Sequence, residues 1–287
     1  MVDPIARIET FDASDGYRLH YRHWEPEISQ PSGYVIGLHG IQSHSGWYEY
    51  SSRRLCEAGF DVRFFDRRGS GLNDFDRGHV KYYERLTNDV VQAVNQIRHE
   101  RDESHSDVPT VLLAVSWGAK IATVVAAQRR ELVDRLVLLY PGLCPSVKAK
   151  WHQLQLLKLA TATGKTRRMV KIPLDDPSLF TGDTNWQQFI RDDPLAVHDV
   201  SVSFLQAGRA MDRVIDQSVS RIRCPARMVL AGNDKIIDNV RTRELFQRFG
   251  SQQRSLVEYP NCQHTLEFEP SRGQIFDELI EWLKSAL

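Results

Sequence analysis

Thr110-Val-Leu-Leu-Ala-Val-Ser116-Trp-Gly118-Ala-Lys-Ile-Ala-Thr-Val-Val-Ala-Ala127 decides how the rest of the chain reads. Its first six residues form a short apolar run of strand character. Its last eight, from Lys120, read as a helix. Between them Ser116 stands with small residues two positions away on either side, Ala114 and Gly118. A serine at a cramped strand-to-helix turn is presented as a nucleophile, and the helix start supplies N–H groups toward developing negative charge.

Working outward, short apolar or β-branched runs alternate with helical patterns. Strands are expected at Arg18–Trp24, Tyr34–Leu38, Phe60–Phe65, Thr110–Val115, Arg135–Tyr140, Ala226–Ala231 and Ser255–Tyr259. Several lack polar alternation, as strands covered on both faces do. Helices are expected at Trp47–Ala58, Tyr83–Arg101, Trp117–Arg130, Val240–Phe249 and Ser271–Leu287. Asn88–Ile97 carries apolar residues three and four apart, the stripe of a helix lying on a sheet. The fold class is therefore α/β, a mostly parallel central sheet flanked by helices in three layers.

One segment breaks the alternation. Residues 145–222 contain no clear buried strand, only helical patches at Trp151–Leu159, Trp186–Ile190 and Val202–Ile215 between turn-rich stretches. The reading is a core of residues 1–144 and 223–287 with an inserted helical lid at 145–222, over the carboxyl ends of the strands. Trp151, Leu154, Leu157, Trp186 and Phe189 offer apolar surface, either as a pocket wall or as packing of the lid onto the core.

Composition narrows the partners. With 287 residues and 41% hydrophobic content the chain can bury a large core. Thirty-seven basic residues balance 37 acidic ones, so no basic field marks a nucleic-acid partner. The amino-terminal Met-Val-Asp-Pro-Ile-Ala-Arg lacks the apolar region of a secretory signal, and no apolar run approaches a membrane span. Four scattered cysteines, without Cys-x-x-Cys, fit a reducing, cytoplasmic setting. Transient contact of the lid with a membrane surface rests only on Lys148, Lys150 and Lys158, and oligomeric state leaves no sequence signal.

A serine nucleophile needs a base, and the base a carboxylate to orient it. Asp234 follows the strand Ala226–Ala231, and His264 follows the last strand, before the carboxyl-terminal helix. Both fall at carboxyl ends of strands, where parallel sheets expose functional residues. Asp238, the rival acid, is better placed to cap the helix starting near Val240. Two backbone donors must receive the oxyanion. The N–H of Ile41, next to Gly40 after the strand Tyr34–Leu38, is one; the N–H of Trp117 is the other. No cofactor or metal is expected. Arg68-Gly69-Ser70-Gly71 lacks the pattern of a nucleotide loop and reads as a tight turn. His39 and His44 have no acidic or cysteine cluster beside them. Arg67 and Arg68 are expected to be ion-paired or solvated, and Cys262, two residues before His264, is not posed for proton transfer.

His39-Gly-Ile-Gln-Ser-His-Ser-Gly-Trp-Tyr48 resembles the His-Gly-x-x-x-His-Ser-x-x-Tyr motif of monoacylglycerol lipases and lysophospholipase-like α/β hydrolases, of serine aminopeptidase S33 type. Asp66-Arg-Arg-Gly-Ser-Gly71 is similar to the family's Asp-x-Arg-Gly-x-Gly loop, and Phe180–Leu195 to its lid. Ala114 replaces the first glycine of Gly-x-Ser-x-Gly, and the Gly232-Asn-Asp234 turn is one residue shorter than the common form. The resemblance spans roughly residues 15 to 285. It implies an α/β-hydrolase fold and hydrolysis of monoacylglycerol- or lysophospholipid-like esters, with Ser116 as nucleophile, Asp234 as acid, His264 as base, and Ile41 and Trp117 as oxyanion donors. A thioesterase or acyltransferase with the same triad, or a hydrolase-fold binding protein with little turnover, are the alternatives.

Overall fold

A computed structural model of the chain describes residues 5–102, 107–147, 155 and 159–285. Its strands are β1 (Arg7–Asp12), β2 (Arg18–Trp24), β3 (Gly33–Leu38), β4 (Phe60–Phe65) and β5 (Thr110–Val115), then β6 (Arg135–Leu139), β7 (Met169–Lys171), β8 (Asp199–Ser201), β9 (Ala226–Ala231) and β10 (Arg254–Tyr259). The helices are α1 (Glu49–Glu57), α2 (Tyr83–Asp102), α3 (Gly118–Gln128), α4 (Thr184–Asp192), α5 (Val202–Ser218), α6 (Asn239–Gln247) and α7 (Arg272–Ser285).

Eight strands form one sheet in the order β1-β2-β4-β3-β5-β6-β9-β10. From β4 to β10 every neighbouring pair is parallel; β1 and β2 join antiparallel at one edge. Every residue of β3, β4, β5, β6 and β9 is buried, which is why these segments are apolar without alternation. The helix α3 is buried along Gly118–Ala127, between the sheet and α5, so its sequence is small and apolar apart from Thr123 and Lys120, which pairs with Asp212 of α5.

The seven expected strands and five expected helices are present, with ends shifted by a few residues. Trp47 and Tyr48 belong to a 3-10 turn that leads into α1 rather than to the helix itself. The sequence reading lacks β1 because this edge strand is largely exposed, Ile8 included, and exposed edges carry no hydrophobic period. Residues 145–222 depart from the helical expectation in one respect. Besides α4 and α5 they contain the antiparallel pair β7–β8, each strand three residues long, too short to leave a pattern. The helical patch expected at Trp151–Leu159 lies largely outside the described residues.

Candidate active site

The strand order sets the site. β5, β6, β9 and β10 are consecutive parallel neighbours, so the turns after β5, β9 and β10 open at the same edge. Ser116 sits in the first, Asp234 in the second and His264 in the third. His264 Nε2 lies 2.9 Å from Ser116 Oγ, and His264 Nδ1 lies 2.7 Å from Asp234 Oδ2. Asp234 is fully buried at its side chain and His264 nearly so. The other carboxylate oxygen, Oδ1, accepts the N–H groups of Ile236 at 2.8 Å and Ile237 at 3.0 Å. Those bonds hold the carboxylate still while Oδ2 receives the imidazole N–H. Asp238 instead accepts the Arg241 N–H and caps α6, the role its position suggests.

Ser116 occupies the left-handed region at φ 48°, a conformation strained for a residue with a side chain. The turn is fixed around it: its N–H donates to Leu139 O at 3.1 Å, and its carbonyl accepts Gly142 N–H at 2.7 Å. Two glycines make this crowding feasible. A Cβ on Gly118 would come 2.5 Å from His39 O and 2.6 Å from Leu38 O, and one on Gly142 would come 2.9 Å from Trp117 N. Both glycines therefore keep backbone close to backbone where the expected oxyanion donors lie. Ala114, at the position where glycine is commoner, is fully buried and fits.

The Ile41 and Trp117 N–H groups donate no hydrogen bond among the described residues, and both residues line the same cavity as Ser116. The loop that carries Ile41 is braced from behind. Gly40 N–H donates to Ser43 Oγ at 3.0 Å, and Ser43 Oγ meets the Tyr48 hydroxyl at 2.8 Å. Burial raises the Tyr48 and Tyr140 phenols well above their ordinary range, so both stay neutral. The Tyr140 ring packs edge-on against His264, centroids 4.9 Å apart.

His39 is structural. Its Nδ1 lies 2.8 Å from Gly40 O, while its Nε2 accepts Arg67 N–H at 2.9 Å. Nδ1 therefore carries the proton and the ring is neutral. Burial, then the charge of Arg67, push its pKa well below the usual value in agreement. His44 lies apart from His39's network: its Nε2 donates to Asp193 at 3.1 Å. Trp47 Nε1 donates to the same carboxylate at 2.6 Å. Burial works to raise the Asp193 pKa, but those hydrogen bonds prevail and hold it below the ordinary range. No group of three or more His, Cys, Asp or Glu side chains among the described residues could hold a metal ion. Cys262 Sγ faces Ser271 Oγ, away from the triad contacts.

The two arginines of the Asp66–Gly71 loop part company. Arg68 pairs with Asp89 and with Asp15, as expected. Arg67 makes no ion pair among the described residues and is buried, donating to the carbonyls of Gly40 and Ile41 at 2.9 and 3.1 Å. A guanidinium held by backbone carbonyls leaves no side-chain partner for a sequence reading to find.

A cavity of about 300 Å³ opens on Ser116 and Trp117. Its apolar lining includes Ile172, Leu174 and Leu205 from residues 145–222, and Ile236 and Ile237 from the core. Trp186 and Phe189 do not line it. Trp186 stacks on Phe268 at 4.4 Å, and Phe189 sits edge-on to Trp47 and Phe268, so both pack this segment onto the core. Trp151, Leu154 and Leu157 lie outside the described residues.

A family model described as serine aminopeptidase, S33, matches residues 29–271. The chain is 24% identical over 294 residues to a monoacylglycerol lipase of Mycolicibacterium smegmatis, with all of both chains covered. It is 25% identical over 276 residues to the monoglyceride lipase of Rattus norvegicus, covering 94% of this chain and 88% of the relative. A crystal structure of a soluble variant of monoglyceride lipase from Saccharomyces cerevisiae, in complex with a substrate analog, superposes with a TM-score of 0.85. That match is 18% identical and covers 100% of this chain and 96% of that one. The fold they share is that of the α/β hydrolases.

Proposed function

The chain belongs to the serine aminopeptidase S33 family of α/β hydrolases, and from that premise we propose that it hydrolyses carboxylic esters through an acyl-enzyme on Ser116. The observation that carries this reading is the position of His264, 2.9 Å from Ser116 Oγ and 2.7 Å from Asp234 Oδ2. His264 Nε2 takes the Ser116 proton as Oγ attacks the ester carbonyl. Asp234 holds the imidazole in the tautomer that leaves Nε2 free and stabilises the imidazolium that forms. The tetrahedral oxyanion accepts the N–H groups of Ile41 and Trp117, each donor typically worth on the order of 3 kcal/mol of barrier. His264 then protonates the departing alkoxide. Water, deprotonated by the same nitrogen, attacks the acyl group, and collapse of the second intermediate releases the acid and restores Ser116.

Substrates of the monoacylglycerol type suit the site best. The names of the relatives point there, and the apolar cavity beside Ser116 suits an acyl chain. Residues 145–222 act in this reading as a cap, because Val170, Ile172, Leu174 and Leu205 line the cavity that opens on Ser116. Cys56, Cys144, Cys224 and Cys262 are free thiols, which favours the cytoplasm as the working compartment. No helix among the described residues is long and apolar enough to cross a membrane.

Ser116→Ala tests the reading. Turnover of a nitrophenyl ester and of a monoacylglycerol should fall by at least about 10³-fold, with unchanged thermal unfolding. Labelling by a fluorophosphonate should disappear. Turnover that persists at the wild-type rate would show that Ser116 is not the nucleophile.

A further inference from the structure

We propose that Arg67 is a positioning residue of the oxyanion hole: it aims the Ile41 N–H and braces Trp117, a role that rests on the acyl-transfer reading above. The argument begins with the peptide unit between Gly40 and Ile41. In a trans peptide the C=O and the N–H lie in one plane and point in opposite directions. Arg67 Nη1 donates to Gly40 O at 2.9 Å, and His39 Nδ1 donates to the same oxygen at 2.8 Å. With the carbonyl gripped by two donors, the Ile41 N–H is turned away from Arg67 and cannot flip. Arg67 Nη2 holds the next carbonyl, Ile41 O, at 3.1 Å, so the fork fixes two successive peptide units.

The same guanidinium reaches the second donor. Its Cζ lies 5.0 Å from the Trp117 ring centroid and 5.1 Å from that of Phe204, and the two rings stack at 4.6 Å. Trp117 is thus held through its indole by a cation fixed to the Ile41 loop. Phe204 belongs to α5, so one contact set links the hole to residues 145–222.

The energetics point away from a purely structural role. Arg67 is 8% exposed, forms no ion pair among the described residues, and its buried Nε finds no acceptor. The charge of Asp66 offsets that burial only in part and makes no ion pair with Arg67 among the described residues, so burial still disfavours the charged guanidinium, and an apolar side chain of similar length would stabilise the fold as well or better. What an apolar side chain cannot do is grip two carbonyls.

The test compares Arg67→Met, Arg67→Lys and wild type, with Ser116→Ala as control. Methionine keeps an apolar stem over Trp117 and removes the fork. We measure kcat and KM on a nitrophenyl ester, and the Kd of a boronic acid, whose tetrahedral adduct on serine occupies the oxyanion hole. Arg67→Met should lower kcat by about 30-fold, leave KM within about 2-fold and weaken the boronic acid by about the same 30-fold. Lysine, which reaches the carbonyls without the planar fork, should restore part of both losses. Should Arg67→Met fail to fold, Arg67→Lys is read alone and must lose about 3- to 10-fold in both kcat and boronic acid affinity. The proposal is overturned if the folded variant keeps wild-type kcat, if KM alone changes, or if kcat falls while boronic acid affinity does not. A Ser116→Ala protein that still turns over ester would overturn the acyl-transfer reading instead, which separates the two failures.

Discussion

The floor of the site and the segment above it are held by different kinds of contact. On the floor, the critical distances are set by backbone. Ser116 is locked through its own N–H and carbonyl, Asp234 through two main-chain donors, and Ile41 through the carbonyls that flank its peptide. Residues 145–222 are held chiefly by side-chain packing, with Phe204, Ala207, Met211 and Ile215 of α5 buried in the same core as α3, and by several polar ties. Asp193 binds His44 and Trp47, Val197 N–H reaches Gln42 O, and Thr265 N–H reaches Phe180 O. Between those ties, the face toward the cavity is side chains such as Leu174 and Leu205. The difference implies that changes on the floor act on rate through geometry, whereas changes above act on which substrate fits.

The largest effect should come from the floor. Asp234→Asn preserves shape but offers the imidazole a donor or a neutral acceptor, so the wrong tautomer is favoured. A fall in kcat of about 10⁴ is expected, with KM and melting temperature little changed. Steady-state kinetics alongside thermal unfolding decide it. A loss below about tenfold would mean that Asp234 does not orient His264, and that the floor is looser than its distances imply.

Glu267 lies at the seam between the two regions and should give the next largest effect. It follows His264 by three residues, in a 3-10 turn whose Phe268 stacks on Trp186. Burial raises its pKa to about 7, against hydrogen bonding from Ser51 that lowers it. One carboxyl oxygen accepts Ser51 N–H at 2.9 Å, and the other has no partner among the described residues. The sign follows from proton binding. Below about pH 4.5 both folded and unfolded chains carry the proton and the group has no net effect. Between about pH 4.5 and 7 the unfolded chain has released it while the folded chain keeps it, so stability declines as pH rises, and the full penalty is present above pH 7. Glu267→Gln removes that dependence. Relative to wild type the variant should gain on the order of 3 kcal/mol between pH 4.5 and 7.5, read from denaturant unfolding at several pH values. Parallel stability curves would show that the carboxyl is not held protonated, and that the seam is wetter than the packing indicates.

What could be read from the sequence divides along the same line. β3, β4, β5, β6 and β9 are buried on both faces, so their apolar runs and the turns that follow them are visible without coordinates. Asp234 follows from the turn after β9, and His264 from the turn after the half-exposed β10, because a parallel sheet brings the carboxyl ends of neighbouring strands together. Arg67 was hidden because its partners are main-chain carbonyls, which have no residue signature. Asp193 reads as one acid in a turn before Pro194, and nothing local reveals that its partners His44 and Trp47 lie nearly 150 residues earlier. Trp186 and Phe189 have the composition of a pocket wall, and only the position of Phe268 assigns them to packing. Local pattern locates strands and turns; it does not say which side chains meet across the seam.

The smallest of these effects should come from the wall, and it is the one that most directly tests the division. Leu205, on α5, is half-buried and faces the cavity next to Phe204, which stacks on Trp117. Leu205→Trp fills space without touching the triad or either oxyanion donor. If the cavity takes the acyl chain, a long chain loses room for roughly two methylenes, each worth about 0.8 kcal/mol when buried. That corresponds to about a tenfold fall in kcat/KM for long acyl esters relative to short ones. Short esters should be turned over at nearly the wild-type kcat, because backbone contacts on the floor do not depend on Leu205. A uniform loss across chain lengths would mean that the wall and floor move together, through Phe204 and Trp117, and that the two regions are one mechanical unit. A profile that does not change at all would place the acyl chain outside this cavity.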